Sequence, residues 1–270
     1  QMCIRDRDIV IFASGISPSL EGEEMGVNLP GFKKGDRTDI ELPAVQRELI
    51  DALHRAGKKI ILVNCSGSPI GLEPETQKCE AILQAWYPGQ QGGKAVAEVL
   101  FGDYNPAGKL PVTFYRNVSQ LPDFEDYNMT GRTYRYMQDV PLFPFGYGLS
   151  YTTFGYGKTV LDKNELTAGQ SLKLTVPVTN TGKRNGEEVV QVYLRKQGDA
   201  EGPIKTLRAF KRVSIPAGKT VNVEFDLKDK ELEWWDDQSN TVRVCPGNYD
   251  IMVGGSSKEE DLQRTTIAIK

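Results

Sequence analysis

Residues 8–25, DIVIFASGISPSLEGEEM, carry an apolar run directly into an acidic loop. The run at residues 9–12 is short and rich in β-branched side chains, which predicts a strand covered on both of its faces. Loops that leave the carboxyl ends of such strands are where open α/β sheets bind ligands. A solvated acidic loop is the alternative, because charged side chains are mostly exposed. The loop offers three candidate acid/base groups, Glu21, Glu23 and Glu24.

The first half of the chain alternates predicted strands and helices. Strands are predicted at residues 9–12, 59–64 and 81–86, and helices at residues 42–53 and 93–101. This βαβ order implies a largely parallel sheet with right-handed crossovers. Small or polar residues follow each strand, so these loops are expected at one edge of the sheet. Helical spacing predicts that two apolar sets face inward, namely Val45, Leu49, Ile50 and Leu53, and then Val96, Val99 and Leu100.

From about residue 152 the hydrophobic period changes to two and turn signals recur. Short alternating segments at this spacing predict a β-sandwich. Trp234 and Trp235 are candidates for a platform that stacks on a ligand, but the favoured interpretation is core or inter-domain packing. The predicted strands cover residues 172–178, 188–194, 207–215, 221–227, 242–244, 249–253 and 265–269.

Composition limits the class of protein. The 270 residues suit two medium domains. The 33 basic and 36 acidic side chains give a net charge of −3, without the basic footprint of a nucleic-acid-binding protein. No apolar run reaches the ~20 residues that a membrane helix needs. The four cysteines are scattered without metal-ligand or CxxC spacing, so ordinary thiols are expected, with no metal and no cofactor.

Five short motifs follow one another in a defined order along the chain. Together the motifs resemble those of glycoside hydrolase family 3. The sequence GRTYR at residues 131–135 is most similar to bacterial β-xylosidases and related β-glucosidases. The resemblance runs from Asp8 to the C-terminus. The motifs are LEGEEM at 20–25, GDRT at 35–38, AWYPGQQGG at 85–93, GDYNPAGKLP at 102–111 and PFGYGLSY at 144–151.

The resemblance implies an α/β fold followed by an all-β fold. We expect an α/β sandwich domain with a mostly parallel sheet at residues 8–130 and an aromatic connector at 131–155. A fibronectin type III-like β-sandwich is expected at 156–270. Residues 1–7, QMCIRDR, resemble translated adapter sequence and are expected to be a non-native stub.

Family members begin with a (β/α)8 barrel that carries a nucleophilic aspartate. The resemblance therefore implies that this chain is the C-terminal part of a longer enzyme, inactive without the barrel of the same polypeptide. A periplasmic or secreted bacterial protein is expected.

The resemblance also implies roles for particular residues. Family 3 retains configuration, which requires a proton donor and a nucleophile about 5 to 5.5 Å apart. Glu21 best matches the family's acid/base glutamate, because Glu21 and Gly22 align with its EG pair upstream of GDR. Glu23 is the second candidate and Glu24 the third. Their charges are expected to raise the pKa of Glu21, as a general acid at neutral pH requires.

Three further residues are candidates for substrate binding. Asp36 matches the aspartate of the family's GDR motif, and a local turn is its alternative role. Trp86 ends the third predicted strand and Tyr87 begins the loop after it, at the edge that closes over the sugar in the family. The connector aromatics Tyr134 and Phe145 are interpreted as packing between domains rather than as sugar stacking.

Two functions remain open from the sequence. The first is the acid/base-bearing portion of a retaining, exo-acting β-glycosidase, a β-xylosidase or β-glucosidase that releases sugars from the non-reducing end of plant-type oligosaccharides. The second is a non-catalytic carbohydrate-binding or scaffolding module. Carbohydrate is the expected ligand in both.

Overall fold

The structure, a computed structural model, describes residues 7–21, 25–27, 29–34 and 36–270. These residues form two compact units. The first unit holds the described residues up to Phe101 together with Phe114–Tyr127 and Asp139–Phe143. The second unit holds Gly102–Thr113, Asn128–Gln138 and Pro144–Lys270. Within the described residues, no helix is long and apolar enough to cross a membrane.

The first unit is an α/β fold built on a parallel sheet, as predicted. Its sheet contains β1 (Ile9–Gly15), β4 (Lys59–Cys65) and β5 (Ala81–Gln84) in the order β1-β4-β5, and Ile9 of β1 pairs with Lys59 of β4. Strand β4 pairs with β5 in the same parallel sense. The elements are β1 (Ile9–Gly15), β2 (Phe32–Lys33), β3 (Asp36–Arg37), α1 (Ala44–Arg55), β4 (Lys59–Cys65), α2 (Glu73–Thr76), β5 (Ala81–Gln84) and α3 (Gly92–Phe101).

The prediction that β1 is covered on both faces was wrong within the described residues. Ile9 and Ile11 are 55% and 50% exposed, whereas Val10 and Phe12 pack against the core. Successive side chains of a strand point to opposite faces, so Val10 and Phe12 meet the core, whereas the described residues leave the face that carries Ile9 and Ile11 uncovered.

The predicted inward face of α1 was half right. Ile50 and Leu53 are buried, but Val45 and Leu49 are exposed. The helix instead turns Gln46 toward the backbone at the end of β1, where hydrogen bonds hold it. On α3, the side chains of Val96, Val99 and Leu100 are partly buried.

The core of the first unit joins the sheet to α1 and to the loop after β4. Each fully buried side chain of this size contributes about 1.5 to 3 kcal/mol to folding. The buried members are Ile16, Leu42, Ile50, Leu53, Ile60, Leu62, Ile70 and Leu72.

The second unit contains the predicted β-sandwich. Its strands are β6 (Phe154–Tyr156), β7 (Val160–Leu161), β8 (Glu165–Leu166), β9 (Leu172–Asn180), β10 (Gly186–Lys196), β11 (Thr206–Ile215), β12 (Thr220–Leu227), β13 (Trp234–Asp236), β14 (Thr241–Arg243), β15 (Gly247–Gly254) and β16 (Gln263–Ile269). One sheet has the order β11-β10-β15-β16-β8 and another has the order β12-β9-β6. Short helices occur at α4 (Thr133–Tyr136) and α5 (Asp229–Leu232).

Alternation along the strands builds the sandwich core. Leu172, Leu174, Val176 and Val178 of β9 all point inward and are fully buried. Trp234 belongs to the same core, while Trp235 is half exposed. The adjacent pair therefore does not form a two-ring platform.

Connector aromatics pack inside the second unit. The ring of Tyr134 stacks on Phe145 with centroids 4.3 Å apart and meets Tyr193 edge-on at 5.9 Å. Residues 139–143 of the predicted connector belong instead to the first unit.

Candidate active site

The acidic loop starts where β1 ends, and Gly15 determines its direction. Gly15 has a φ of 128°, and a Cβ there would overlap the carbonyl oxygen of Cys65 in β4. The side chain of Gln46 accepts a hydrogen bond from Gly15 N at 3.1 Å and donates one to Gly15 O at 2.7 Å. A turn follows, in which Glu21 N donates to Ser17 O at 3.1 Å. The strand end and the turn together position Glu21.

The carboxylate of Glu21 accepts four hydrogen bonds, two on each oxygen. Its Oε2 accepts from Gly67 N at 2.8 Å and from the Tyr87 hydroxyl. Its Oε1 accepts from Ser68 N at 3.1 Å and from the Ser68 hydroxyl. The donors come from the loops after β4 and β5, so the adjacent strands of the sheet deliver their loops to one place, as the parallel topology requires.

A buried polar network holds the loop after β4. Asn64 Nδ2 donates to Ser66 Oγ at 3.1 Å and to Gln84 Oε1 at 2.6 Å. Ser66 Oγ in turn donates to Ser68 O at 2.8 Å. Because Asn64 and Ser66 are fully buried, these bonds restrict the loop and turn its N–H groups toward Glu21.

Arg37 adds a positive charge beside this cluster. Its Nη1 donates to Ser68 Oγ at 3.3 Å and its Nη2 donates to Glu41 O at 3.1 Å. Burial lowers the pKa of Arg37, against the opposing charges of Asp39, Glu21, Glu41 and Tyr87.

The sequence analysis proposed Asp36 of the GDRT motif, rather than the adjacent Arg37, as a substrate-binding residue. Asp36 is exposed and pairs with Lys33 across the hairpin of β2 and β3. Arg37 and Ser68 are the site residues that sequence reasoning missed. The GDR motif and the small-residue loop after β4 were the available signals for them.

The environment of Glu21 favours its anion. Burial acts to raise the pKa of Glu21, but hydrogen bonds from Ser68, Tyr87 and the backbone of Gly67 together lower it below the ordinary value. Burial, followed by the hydrogen bond and the charge of Glu21, raises the pKa of Tyr87 to about 12. We expected a raised pKa for Glu21, and these contacts act in the opposite direction. Glu23 and Glu24 lie outside the described residues.

Trp86 has a different setting from Tyr87. Its φ is 55°, a left-handed conformation that is rare for a bulky side chain. Its ring meets Phe114 edge-on at 6.1 Å, so Trp86 takes part in apolar packing within the first unit. The unusual backbone redirects the chain after β5, and the next residue, Tyr87, contacts Glu21. Of the predicted site residues, the structure thus brings Glu21 and Tyr87 into direct contact.

The site is a carboxylate surrounded by hydrogen-bond donors. Among the described residues, no group of three or more His, Cys, Asp or Glu side chains is placed to hold a metal ion. Chemically, a carboxylate with a lowered pKa is a hydrogen-bond acceptor and a base at neutral pH.

Comparisons with known proteins agree with this fold. Residues 3–151 match the glycosyl hydrolase family 3 C-terminal domain, and residues 188–257 match the fibronectin type III-like domain. A xylan 1,4-beta-xylosidase of Xylanibacter ruminicola is 59% identical over 260 residues, which are 96% of this chain and 30% of that protein. A periplasmic beta-glucosidase of Salmonella typhimurium is 38% identical over 249 residues, covering 87% of this chain and 32% of that protein.

Solved structures show the same similarity. A β-glucosidase of Erythrobacter marinus superposes with a TM-score of 0.85 at 39% identity, covering 99% of this chain and 35% of that one. A beta-glucosidase of Listeria innocua in complex with isofagomine gives a TM-score of 0.81 at 28% identity, covering 98% and 37%. The chain thus spans about a third of the length of the curated relatives it matches. Because the family match covers more than half of its 270 residues, the chain belongs to glycosyl hydrolase family 3, as a member of its C-terminal domain family.

Proposed function

We propose that this chain is the acid/base-bearing C-terminal portion of a retaining, exo-acting β-glycosidase. The observation that carries the proposal is Glu21, a carboxylate on the loop at the carboxyl end of β1, surrounded by groups from two other loops. The matched relatives are named as β-xylosidases and β-glucosidases, which supports a glycosidase. The relative at 59% identity is named a xylan 1,4-beta-xylosidase, so β-xylosides are the first substrates to test.

In this mechanism Glu21 acts twice. It first donates a proton to the glycosidic oxygen as the bond to the leaving group breaks, while a carboxylate outside this chain attacks the anomeric carbon. It then accepts a proton from the water that hydrolyses the covalent glycosyl-enzyme. The nucleophile is proposed to come from the N-terminal barrel of the same polypeptide.

Support for the three proposed substrate-binding residues is unequal. Tyr87 is the strongest candidate, because its hydroxyl contacts Glu21 and its side chain is partly exposed. Trp86 has its ring edge against Phe114, and Asp36 is exposed on the hairpin of β2 and β3.

The experiment uses the chain joined to the barrel of a full-length relative. Glu21→Ala is expected to lower kcat/KM for alkyl β-xylosides by about 10²- to 10⁴-fold, because general acid catalysis contributes about that much. Glycosylation by dinitrophenyl xyloside should be spared, since that leaving group needs little protonation. Azide should restore turnover and form a β-xylosyl azide, because an anionic nucleophile needs no general base.

Matched substitutions make this result specific. Glu48→Ala, at an exposed position on α1, should leave the kinetics unchanged and gain nothing from azide. Azide rescue at Glu23→Ala but not at Glu21→Ala would move the acid/base role two residues along the loop. Rescue at none of Glu21, Glu23 and Glu24 would remove the loop from the chemistry.

The 270-residue chain alone is expected to hydrolyse no aryl β-xyloside or β-glucoside, because it offers no assigned nucleophile. Turnover that survives a mock-purification control would contradict this division of labour. If both the 270-residue chain and the joined protein bound sugar but neither turned it over, the carbohydrate-binding module would be favoured instead.

A further inference from the structure

The hydrogen bonds on Glu21 suit an anion and do not suit a carboxylic acid. Each carboxylate oxygen already accepts one backbone N–H, from Gly67 or from Ser68. A backbone N–H donates only, so a proton added to either oxygen could be accepted only by the neighbouring hydroxyl, which would have to give up the hydrogen bond that it donates to Glu21. The Ser68 hydroxyl is committed in a similar way, because it also accepts from Arg37 Nη1 at 3.3 Å. Proton donation to a substrate needs the opposite state, a protonated and accessible Glu21.

We propose that the N–H groups of Gly67 and Ser68 and the hydroxyls of Ser68 and Tyr87 form an anion clamp, and that Glu21 must leave it to donate a proton. The proposal rests on the function proposed above and adds a resting state to it. Ser68 and Tyr87 are then positioning residues that act through Glu21. The clamp and the substrate compete for the same carboxylate.

Gly67 provides the space that the clamp requires. A methyl group at this position would lie 2.7 Å from Tyr87 Cε2 and 2.8 Å from Glu21 Oε2, closer than non-bonded atoms approach. Its backbone φ is not in the left-handed region, so alanine brings no conformational strain there. Gly67→Ala is therefore expected to displace the Glu21 and Tyr87 side chains while the loop keeps its backbone conformation.

The charged groups around the clamp are few among the described residues. Arg37 from β3 and Tyr87 from the loop after β5 face Glu21, and Asp39 and Glu41 face Arg37 in turn. Because the folded pKa of Glu21 is lowered, the clamp stabilises the folded chain above the ordinary pKa of 4.5. This contribution is lost as the pH falls through the lowered value.

The first experiment measures the clamp in the 270-residue chain itself. Carboxyl carbons of glutamate are followed by NMR through an acid titration, with the Glu21 signal assigned by Glu21→Gln. Glu21 is expected to titrate below its ordinary value, and Tyr87→Phe, Ser68→Ala and Gly67→Ala should each raise the midpoint. An ordinary midpoint in the unmodified chain, or no movement in Tyr87→Phe, would overturn the clamp.

Two controls separate the clamp from general effects of substitution. Tyr104→Phe removes a hydroxyl in the second unit that accepts a hydrogen bond from Arg212. The Tyr104 residue is 44% exposed, close to the 40% of Tyr87. Gly93→Ala adds a methyl group at a helical position with open space around it. Neither should move the Glu21 midpoint.

The second experiment tests the competition in the joined enzyme. If the clamp opposes proton donation, Tyr87→Phe should move the basic limb of the kcat/KM profile for alkyl β-xylosides to higher pH. A uniform loss of kcat/KM with an unmoved profile would mean that Tyr87 holds the productive geometry, and would overturn the competition. Failure of azide rescue at Glu21 together with an intact NMR shift would refute the proposed function but leave the clamp in place.

Discussion

Glu75 is a fully buried carboxylate whose charge is balanced by Arg47 of α1. Arg47 Nε donates to Glu75 Oε1 at 2.8 Å and Nη2 donates to Glu75 Oε2 at 3.1 Å. Arg47 also donates to Glu41 Oε2 at 2.7 Å and to Gly71 O at 3.0 Å. Glu41 and Gly71 form a β-bridge that joins the segment after the β2 and β3 hairpin to the loop after β4. The ion pair therefore supports the segments that carry Arg37 and Ser68.

Removing Arg47 should destabilise the first unit strongly. Arg47→Met leaves the buried Glu75 without its counter-charge, which costs about 3 to 5 kcal/mol in comparable cases. We predict a decrease of that size in the free energy of unfolding, measured by urea denaturation at pH 7. Arg47→Met combined with Glu75→Met should recover much of the loss, because no buried charge then remains.

Arg55→Met is the matched control for this pair, since Arg55 is exposed on the same helix. It should change the free energy of unfolding by less than about 0.5 kcal/mol. An equal effect at both arginines would mean that helix propensity or net charge, rather than the buried pair, accounts for the loss.

At the scale of elements, the site depends on how closely β1 and β4 approach. Gly15 lies opposite Cys65 in the parallel register, and Ile16 N donates to Cys65 O at 3.0 Å. A side chain at Gly15 would overlap that carbonyl group, so the two strands would have to separate at the point where the acidic loop begins.

Gly15→Ala is predicted to destabilise the first unit and to displace Glu21. Its φ of 128° alone costs about 1 to 3 kcal/mol for a non-glycine residue. The overlap with β4 adds to this cost. The pH midpoint of the Glu21 titration, measured by NMR, should rise because the displaced carboxylate loses the hydrogen bonds of the clamp.

Gly57→Ala separates the cost of a positive φ from the cost of the overlap with β4. Gly57 also has a positive φ, of 70°, but a Cβ there meets open space. This substitution should cost about 1 kcal/mol, in line with loss of a glycine at a helix end. Equal costs at both glycines, with an unmoved Glu21 midpoint, would show that strand contact does not control the loop.

At the scale of the whole molecule, each unit has its own apolar core. The segment before residue 128, where the chain passes from the first unit to the second, carries Phe124 and Tyr127 at 82% and 91% exposure. Exposed loops without regular backbone pairing are where proteases cut first.

Limited chymotrypsin digestion is therefore predicted to cleave first after Phe124 or Tyr127. Replacing both by serine should delay this cleavage. Phe210→Ser is the control, because Phe210 is also exposed but lies within β11, whose backbone pairs with β10. Early cleavage at residues 189–194, inside β10, would contradict the division into two cores. The fragments can be identified by mass spectrometry.

Local pattern was sufficient to predict several features from the sequence. Alternation at residues 172–178 identified β9, and apolar runs at residues 9–12 and 59–64 identified the parallel pair β1 and β4. The Glu21 carboxylate could be assigned to a strand-exit loop, and its catalytic role stays a prediction. These properties depend on neighbours in sequence, because strand and helix periodicities are set by the backbone within a few residues.

Tertiary structure alone decided which groups surround Glu21. Glu21 and Tyr87 are 66 positions apart, and Glu21 and Gly67 are 46 apart, so no local pattern reports their hydrogen bonds. The direction of the pKa shift of Glu21 follows from those distant donors. Ile9 was predicted to be buried from its apolar run and Val45 from helical spacing, and the exposure of both likewise depends on which faces of β1 and α1 other elements cover. Sequence determines which face of an element is apolar, but packing between elements decides which groups meet, because that choice minimises the free energy of the whole fold.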